Sequence, residues 1–286
     1  MASAPAEQVS SPVGVIAGGG VMPFAVADSL AKRGIAPVMF ALRGACDSQR
    51  LDRFRHHWIS VGQLGRATRL FRSEGCRDLI FIGTLARPAL SEIRLDWGTL
   101  RVLREVWASF RGGDDHLLSG IGRILERDGF RMVGIKDVAP DLLTPEGCLT
   151  SAAPDADASA DIALAREVLA ALGPFDIGQA VVVINRHVVG VEDIEGTDGL
   201  LARIASLRER RRIRAKENRG VLVKAPKRGQ DLRFDLPTIG PRTVEGAARA
   251  KLAGIAVVAG NTLLAEPQAM IEAADKAGLF VVGVPA

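Results

Sequence analysis

Cysteine is scarce in this chain. Its three residues, Cys46, Cys76 and Cys148, lie far apart and are odd in number. No pair has metal-ligand spacing, so a thiolate zinc site lacks support, and the pattern predicts buried thiols in a reducing compartment. Histidine is nearly as rare: His56, His57, His116 and His187 form no H-x-x-x-H pair, and no serine occupies a G-x-S-x-G turn. Zinc hydrolysis and serine-nucleophile chemistry therefore lack their residues. No apolar run approaches the roughly 20 residues that span a bilayer. The small, polar N-terminus MASAPAEQVSSP has neither the basic region nor the apolar core of a signal peptide. A cytoplasmic protein is expected. Aromatics make up 5% of the chain and are not interleaved with a basic stripe, so nucleic acid is not an expected partner.

What is present is a globular composition. Of 286 residues, 48% are hydrophobic, enough to fill real cores. The net charge of +4 and the pI of about 9.2 suit anionic ligands or membrane surfaces. The densest basic run, RERRRIRAKENR over 208–219, reads either as a solvated helix face or as a surface for phosphates or an anionic bilayer.

Strand and helix signals alternate. A strand, a glycine loop and a helix are predicted over 13–34, strands over 37–42 and 78–85, and a helix over 62–75. Helices over 100–110 and 114–128 and a strand over 131–135 follow. This order predicts a parallel sheet with helices on its faces. After a Pro-, Asp-, Ser- and Ala-rich stretch comes a second α/β unit. It has a helix over 161–172, two strands over 179–193 joined by a tight turn at Asn185–Arg186, and a helix over 196–211 with Thr197 or Asp198 near its cap. A strand over 220–223, a helix over 243–251, a strand over 255–259, a helix over 267–277 and a strand over 279–284 complete it. The expected division is a flexible arm over 1–12, a Rossmann-like α/β domain over 13–143, a linker over 144–159, and a C-terminal α/β domain over 160–286.

Several motifs could carry chemistry. Gly18, Gly19 and Gly20 sit between a strand and a helix, where glycine lets backbone N–H groups approach a phosphate. The dinucleotide fingerprint fails, because Pro23 stands where a third glycine is needed and Arg43 occupies the region where an acid is expected. A tight turn with close helix packing explains the glycines equally well. Gly83 and Thr84 end a strand, and Arg87 beyond them is either a surface arginine or an anion contact. Asp114 and Asp115 open a helix; capping accounts for one of them.

The stretch KAPKRGQDLRFDLPTIGPRTV, from Lys224 onward, is different. It is long, without a period and crowded with both charge signs, and such loops in compact domains are usually functional or disordered. Leu232, Phe234, Leu236, Pro237 and Ile239 would pin it down. Asp231 and Asp235 offer carboxylates for a hard cation, while Lys224, Lys227 and Arg233 offer charge to neutralise phosphate. That mixture serves metal-assisted attack on a phosphate; a structural salt-bridge knot is the other reading.

This loop closely resembles the signature of the LpxI-type UDP-2,3-diacylglucosamine pyrophosphatases. The segments GVIAGGGVMPFAVA, GTLARP, GGDDHLL, DIGQAVVV, EGTDGLL and LAGIAVVAG occur in the family's order, so the resemblance spans about 13–284. One departure is Arg228, where many members carry proline. The resemblance implies two α/β domains with the substrate held between them. It implies cytoplasmic hydrolysis of UDP-2,3-diacylglucosamine to 2,3-diacylglucosamine 1-phosphate (lipid X) and UMP in lipid A biosynthesis, with Mg²⁺ or Mn²⁺; with acyl chains that are water-insoluble and no membrane span, peripheral contact with the inner membrane through the basic residues of 208–214 is expected. Water would attack the phosphorus on the sugar side. Asp235 and Lys224 are the expected catalytic residues, and Asp235 with Asp231 the expected metal ligands. The expected substrate-binding residues are Gly18, Gly19, Gly20, Gly83, Thr84, Arg87, Gln179, Thr197, Asp198, Lys227, Gln230, Arg233 and Thr238. The alternatives are another sugar-nucleotide hydrolase or transferase, and a non-catalytic nucleotide-binding regulator.

Overall fold

In the computed structural model the described residues are 9–84, 96–101, 114–175, 177–227, 229–234 and 236–286, with only the backbone described at 100–101 and 114–117. The protein is α/β and divides into two units. The first comprises 1–142 together with 231–235, and the second 143–230 and 236–286.

The first unit starts with β1 (Val13–Ala17), α1 (Met22–Lys32), β2 (Pro37–Leu42), α2 (Ser48–Leu51), β3 (His56–Ile59), α3 (Leu64–Ser73) and β4 (Asp78–Ile82). Then come α4 (Trp97–Arg101), α5 (Asp114–Arg127), β5 (Arg131–Met132) and α6 (Ile135–Val138). Its five strands are all parallel, in the order β3-β2-β1-β4-β5. Every residue of β1 is buried, as expected for a strand covered on both faces. The core gathers Phe40, Phe71, Leu79, Leu125 and Phe130. At the sheet's N-terminal edge Asp78 is fully buried and accepts bonds from Arg131 Nε (2.7 Å) and Nη2 (2.6 Å) and from Ser10 N (2.6 Å). Burial alone would raise this carboxyl's pKa, but Arg131 and Ser10 outweigh it and hold the pKa below the ordinary range.

The second unit contains β6 (Gly147–Cys148), α7 (Ala156–Leu172), β7 (Ala180–Ile184), β8 (His187–Val191), α8 (Gly196–Glu209), β9 (Val221–Lys224) and β10 (Thr238–Ile239). It ends with α9 (Pro241–Arg249), β11 (Gly254–Val258), β12 (Leu263–Leu264), α10 (Pro267–Ala277) and β13 (Phe280–Val284). The main sheet is mixed, in the order β6-β13-β11-β9-β7-β8, with β9, β11 and β13 parallel. Side chains alternate across it: Val182, Ile184, Leu222 and Ile255 enter one core, Val181, Val183, Val221 and Ala256 the other.

The turn expected at Asn185–Arg186 joins β7 to β8, with φ of 51° and 60° at its two residues. It is held by buried Asp161 of α7, which accepts from Asn185 N (3.1 Å) and Arg186 N (2.6 Å). Four differences from the sequence expectation stand out. The stretch 144–159 includes β6, paired with β13, and the start of α7. β3 and α6 were not expected. The loop after β9 contains β10, and α9 starts at Pro241, whose fixed φ suits a first helical turn. Among the described residues no helix is long and apolar enough to cross a membrane.

Candidate active site

The strand order of the first unit reverses between β1 and β4, the place where open α/β sheets bind ligands. There Gly18 and Gly19 have a role in joining β1 to the chain after β4. Gly18 N donates to Ile82 O (2.9 Å), Gly19 N to Thr84 O (2.8 Å), and Thr84 N back to Gly19 O (3.0 Å). The Gly18 and Gly19 amides thus join two loops. A Cβ on Gly18 would lie 2.6 Å from Thr84 O, and one on Gly83 2.6 Å from Gly19 O and 2.9 Å from Pro23 Cγ. Close backbone approach thus accounts for these glycines, and Gly20 adds a φ of +88°. Arg87 lies outside the described residues, as do the side chains of Asp114 and Asp115.

In the second unit the structure brings four expected residues together. Lys224 is the last residue of β9, and β7 runs antiparallel beside it, so the start of β7 meets the end of β9: Ala180 pairs with Lys224, and Ala225 N donates to Gln179 O (2.9 Å). The Lys224 ammonium donates to Thr197 Oγ1 (3.0 Å) and to Thr238 O (3.1 Å). Thr197 Oγ1 in turn donates to Glu192 Oε1 (2.6 Å), and Glu192 Oε2 accepts from Gln179 N (2.7 Å). Glu192 is 8% exposed. A buried carboxylate needs bonds to both oxygens, and here it has them. The result is a chain from Gln179 through Glu192 and Thr197 to Lys224 and Thr238, which sets the ammonium at the carboxyl end of a central strand.

Glu192 was missed by sequence reasoning. The only signal was an acid directly after an apolar strand, in VGVEDIEGTDG, a pattern that also fits a solvated loop. The expected cap at Thr197 or Asp198 is corrected too: neither side chain caps α8, because Thr197 is turned to Glu192 and Asp198 pairs with Arg242 Nη2 (2.7 Å) at the surface.

The rest of the signature loop divides. Lys227 and Gln230 close a turn: Lys227 N donates to Gln230 Oε1 (2.9 Å) and Gln230 N to Lys227 O (3.3 Å), around Gly229 at φ +80°. Asp231 and Arg233 form a two-pronged pair, Arg233 Nε to Oδ1 at 3.0 Å and Nη2 to Oδ2 at 2.7 Å, while Nη1 reaches Glu126 Oε1 of α5 at 2.6 Å. The bond from Arg233 holds the Asp231 carboxyl below its ordinary pKa, against a smaller opposing effect of burial. Asp231 and Arg233 thus engage each other and Glu126, the arrangement of the salt-bridge reading. Asp235 and Arg228 lie outside the described residues.

A divalent cation such as Mg²⁺ takes oxygen donors, commonly one or two carboxylates with substrate phosphate oxygens and water. Among the described residues no group of three or more His, Cys, Asp or Glu side chains is clustered to hold one. Glu192 and Asp231 use both carboxylate oxygens on protein donors.

Two family models match in sequence order: the LpxI N-terminal domain over residues 12–142 and the LpxI C-terminal domain over residues 145–282. The chain is 41% identical over 272 residues to the UDP-2,3-diacylglucosamine pyrophosphatase LpxI of Caulobacter vibrioides, covering 95% of this chain and 97% of that protein. Glycine loop, hairpin and lysine network thus sit in a sequence matched over nearly its whole length, and the chain belongs to the LpxI family.

Proposed function

We propose that this protein hydrolyses the diphosphate of UDP-2,3-diacylglucosamine, giving 2,3-diacylglucosamine 1-phosphate (lipid X) and UMP in lipid A biosynthesis. The observation that carries the proposal is the near full-length likeness to a relative of that activity. The Lys224 network supplies a physical basis: a fixed ammonium in the signature loop stabilises phosphate charge without having to reorganise.

Hydrolysis adds water across one P–O bond. Attack at the phosphorus on the sugar side breaks its bond to the bridging oxygen, which leaves with UMP, and the water's proton passes to solvent or base. Lys224 is assigned to the diphosphate, with Thr197 and Thr238 fixing its direction and Gln179 and Glu192 fixing Thr197. Asp235, placed by the family signature, is assigned to the attacking water and to the cation. That cation, Mg²⁺ or Mn²⁺, would neutralise phosphate charge when bound. The protein acts in the cytoplasm, in peripheral contact with the inner membrane through exposed Arg210, Arg211, Arg212 and Arg214. Arg208 drops out of that basic rim, because its guanidinium turns back to the carbonyls of Ala215, Lys216 and Arg219.

The test is an assay of UDP-2,3-diacylglucosamine with Mg²⁺, with excess EDTA, and in ¹⁸O-water. UMP and lipid X should form, EDTA should stop turnover, and the label should enter lipid X. Absence of UMP release sinks the reaction; full activity in EDTA sinks the metal; label in UMP sinks the regiochemistry. Turnover indifferent to the acyl chains would favour a different sugar nucleotide. Vesicle binding that is absent even at low salt would leave the arginines a solvated face.

A further inference from the structure

The segment 231–235 belongs to the first unit, although the chain on both sides of it belongs to the second. What seats it there is visible in two side chains. Phe234 is 9% exposed and is part of the first unit's core cluster with Phe40, Phe71, Leu125 and Phe130. Its ring lies 6.0 Å, centroid to centroid, from that of Phe81 at the end of β4. On α5 it faces Gly122, where any Cβ would collide with the ring. Arg233 adds the second hold. It bonds Glu126, one helical turn further along the same helix, while Asp231 straightens its guanidinium from the side. The guanidinium also stacks over the Phe234 ring at 5.1 Å. The backbone is closed as well: Phe234 N donates to Asp231 O (3.0 Å) and Arg233 N to Asp231 Oδ1 (3.1 Å).

An aromatic in a core and an arginine on a specific carboxylate are more than a solvated loop needs. The residues that follow are Asp235 and the LPTIG segment, which leads to Thr238, the carbonyl partner of Lys224. We infer that Phe234 and Arg233 are positioning residues, which seat the middle of the signature loop on α5, and that turnover depends on this seating. The inference rests on the hydrolase reading above and assigns these two residues no contact with substrate. Gly122 then has a specific reason to be glycine: it is the socket for the ring.

The experiment compares Phe234→Ala, Phe234→Leu and Gly122→Ala with the parent protein. Gly122→Ala leaves the loop sequence intact and improves helix propensity in α5, so it keeps the test open if Phe234→Ala fails to fold. Two readouts are taken: hydrogen exchange of the 233 and 234 amides, with β1 and β4 as internal controls, and kcat and KM for release of UMP from UDP-2,3-diacylglucosamine. In Phe234→Ala and Gly122→Ala the loop amides should exchange at least about tenfold faster while β1 and β4 stay protected. kcat should fall on the order of ten- to a hundredfold, the scale of a small misplacement, with KM within about twofold. Phe234→Leu should recover most of both. Loop amides that exchange as in the parent would overturn the seating, and faster exchange with unchanged kcat would overturn its role in turnover. A parent protein that releases no UMP overturns the hydrolase reading instead, and the exchange comparison still decides whether these residues seat the loop.

Discussion

β1 in the first unit and β9 in the second are both interior strands of their sheets, and their carboxyl ends can be compared. They are built in opposite ways. After β1 the chain is glycine, and its amides are consumed by the carbonyls of Ile82 and Thr84. After β9 the chain is lysine, held by a hydroxyl, a carbonyl and, at one remove, a buried carboxylate. The first end is closed by backbone meeting backbone, which leaves no room for a side chain at Gly18 or Gly83. The second is furnished with side chains whose charge is aimed. A glycine-rich strand–helix turn is thus no guide to phosphate binding until its N–H groups have been accounted for.

That contrast can be broken or sharpened by substitution. The largest effect should come from the signature loop. Asp235→Ala should lower kcat by about a hundredfold or more with KM changed only a few-fold, because the interaction is made mainly in the transition state. A folded variant with near-normal turnover, checked by thermal melting, would remove the assignment. Next is Lys224→Ala, expected to lower kcat/KM by roughly tenfold or more with KM rising at least as much as kcat falls, since the ammonium serves bound and reacting diphosphate alike. Glu192→Gln should give a smaller loss of the same kind, about threefold to tenfold, because an amide NH₂ cannot accept the bonds of both Gln179 and Thr197. If Glu192→Gln exceeds Lys224→Ala, Glu192 acts otherwise than through the lysine.

On the closed side the response should be thermal. Gly18→Ala sets a Cβ against Thr84 O, and such overpacking costs about 1–3 kcal/mol. Calorimetry should show a Tm lower by several degrees. An unchanged Tm with lost turnover would mean that the glycine loop serves the reaction after all, and the contrast would fail. The smallest effect concerns acid. The Asp78 pKa lies below its unfolded value of about 3.9 because Arg131 and Ser10 stabilise the carboxylate. Its contribution to stability is therefore present above about pH 4 and lost as pH falls through the folded pKa. Melting from pH 7 to pH 3 should show a steeper loss in the parent than in Asp78→Asn; equal slopes would leave the pair without weight.

Much of this was legible in the sequence. The alternation of apolar strands and amphipathic helices predicted the α/β class, and the Asn185–Arg186 turn was placed to the residue, because two positive φ angles between apolar runs leave few other geometries. The short strands escaped. β6, β10 and β12 are each two residues long and have no period, and β3, reading HHWI, lies half-exposed at the end of its sheet, where the apolar signal is weakest.

The family was determined by local sequence, since residue types and spacing carry the resemblance whatever the fold does with them. What each charge does was decided by tertiary structure. Arg233 reads in sequence as a loop cation, and α5, 107 residues earlier, supplies it with Glu126. Glu192 looks like a surface acid until Gln179 and Thr197 close over it. The physical reason is that a charge is satisfied by whichever group lies within hydrogen-bond reach. In this chain some of those groups are near in sequence, as Asp231 is to Arg233, and others are remote, as Glu126 is, so the packed fold selects the set.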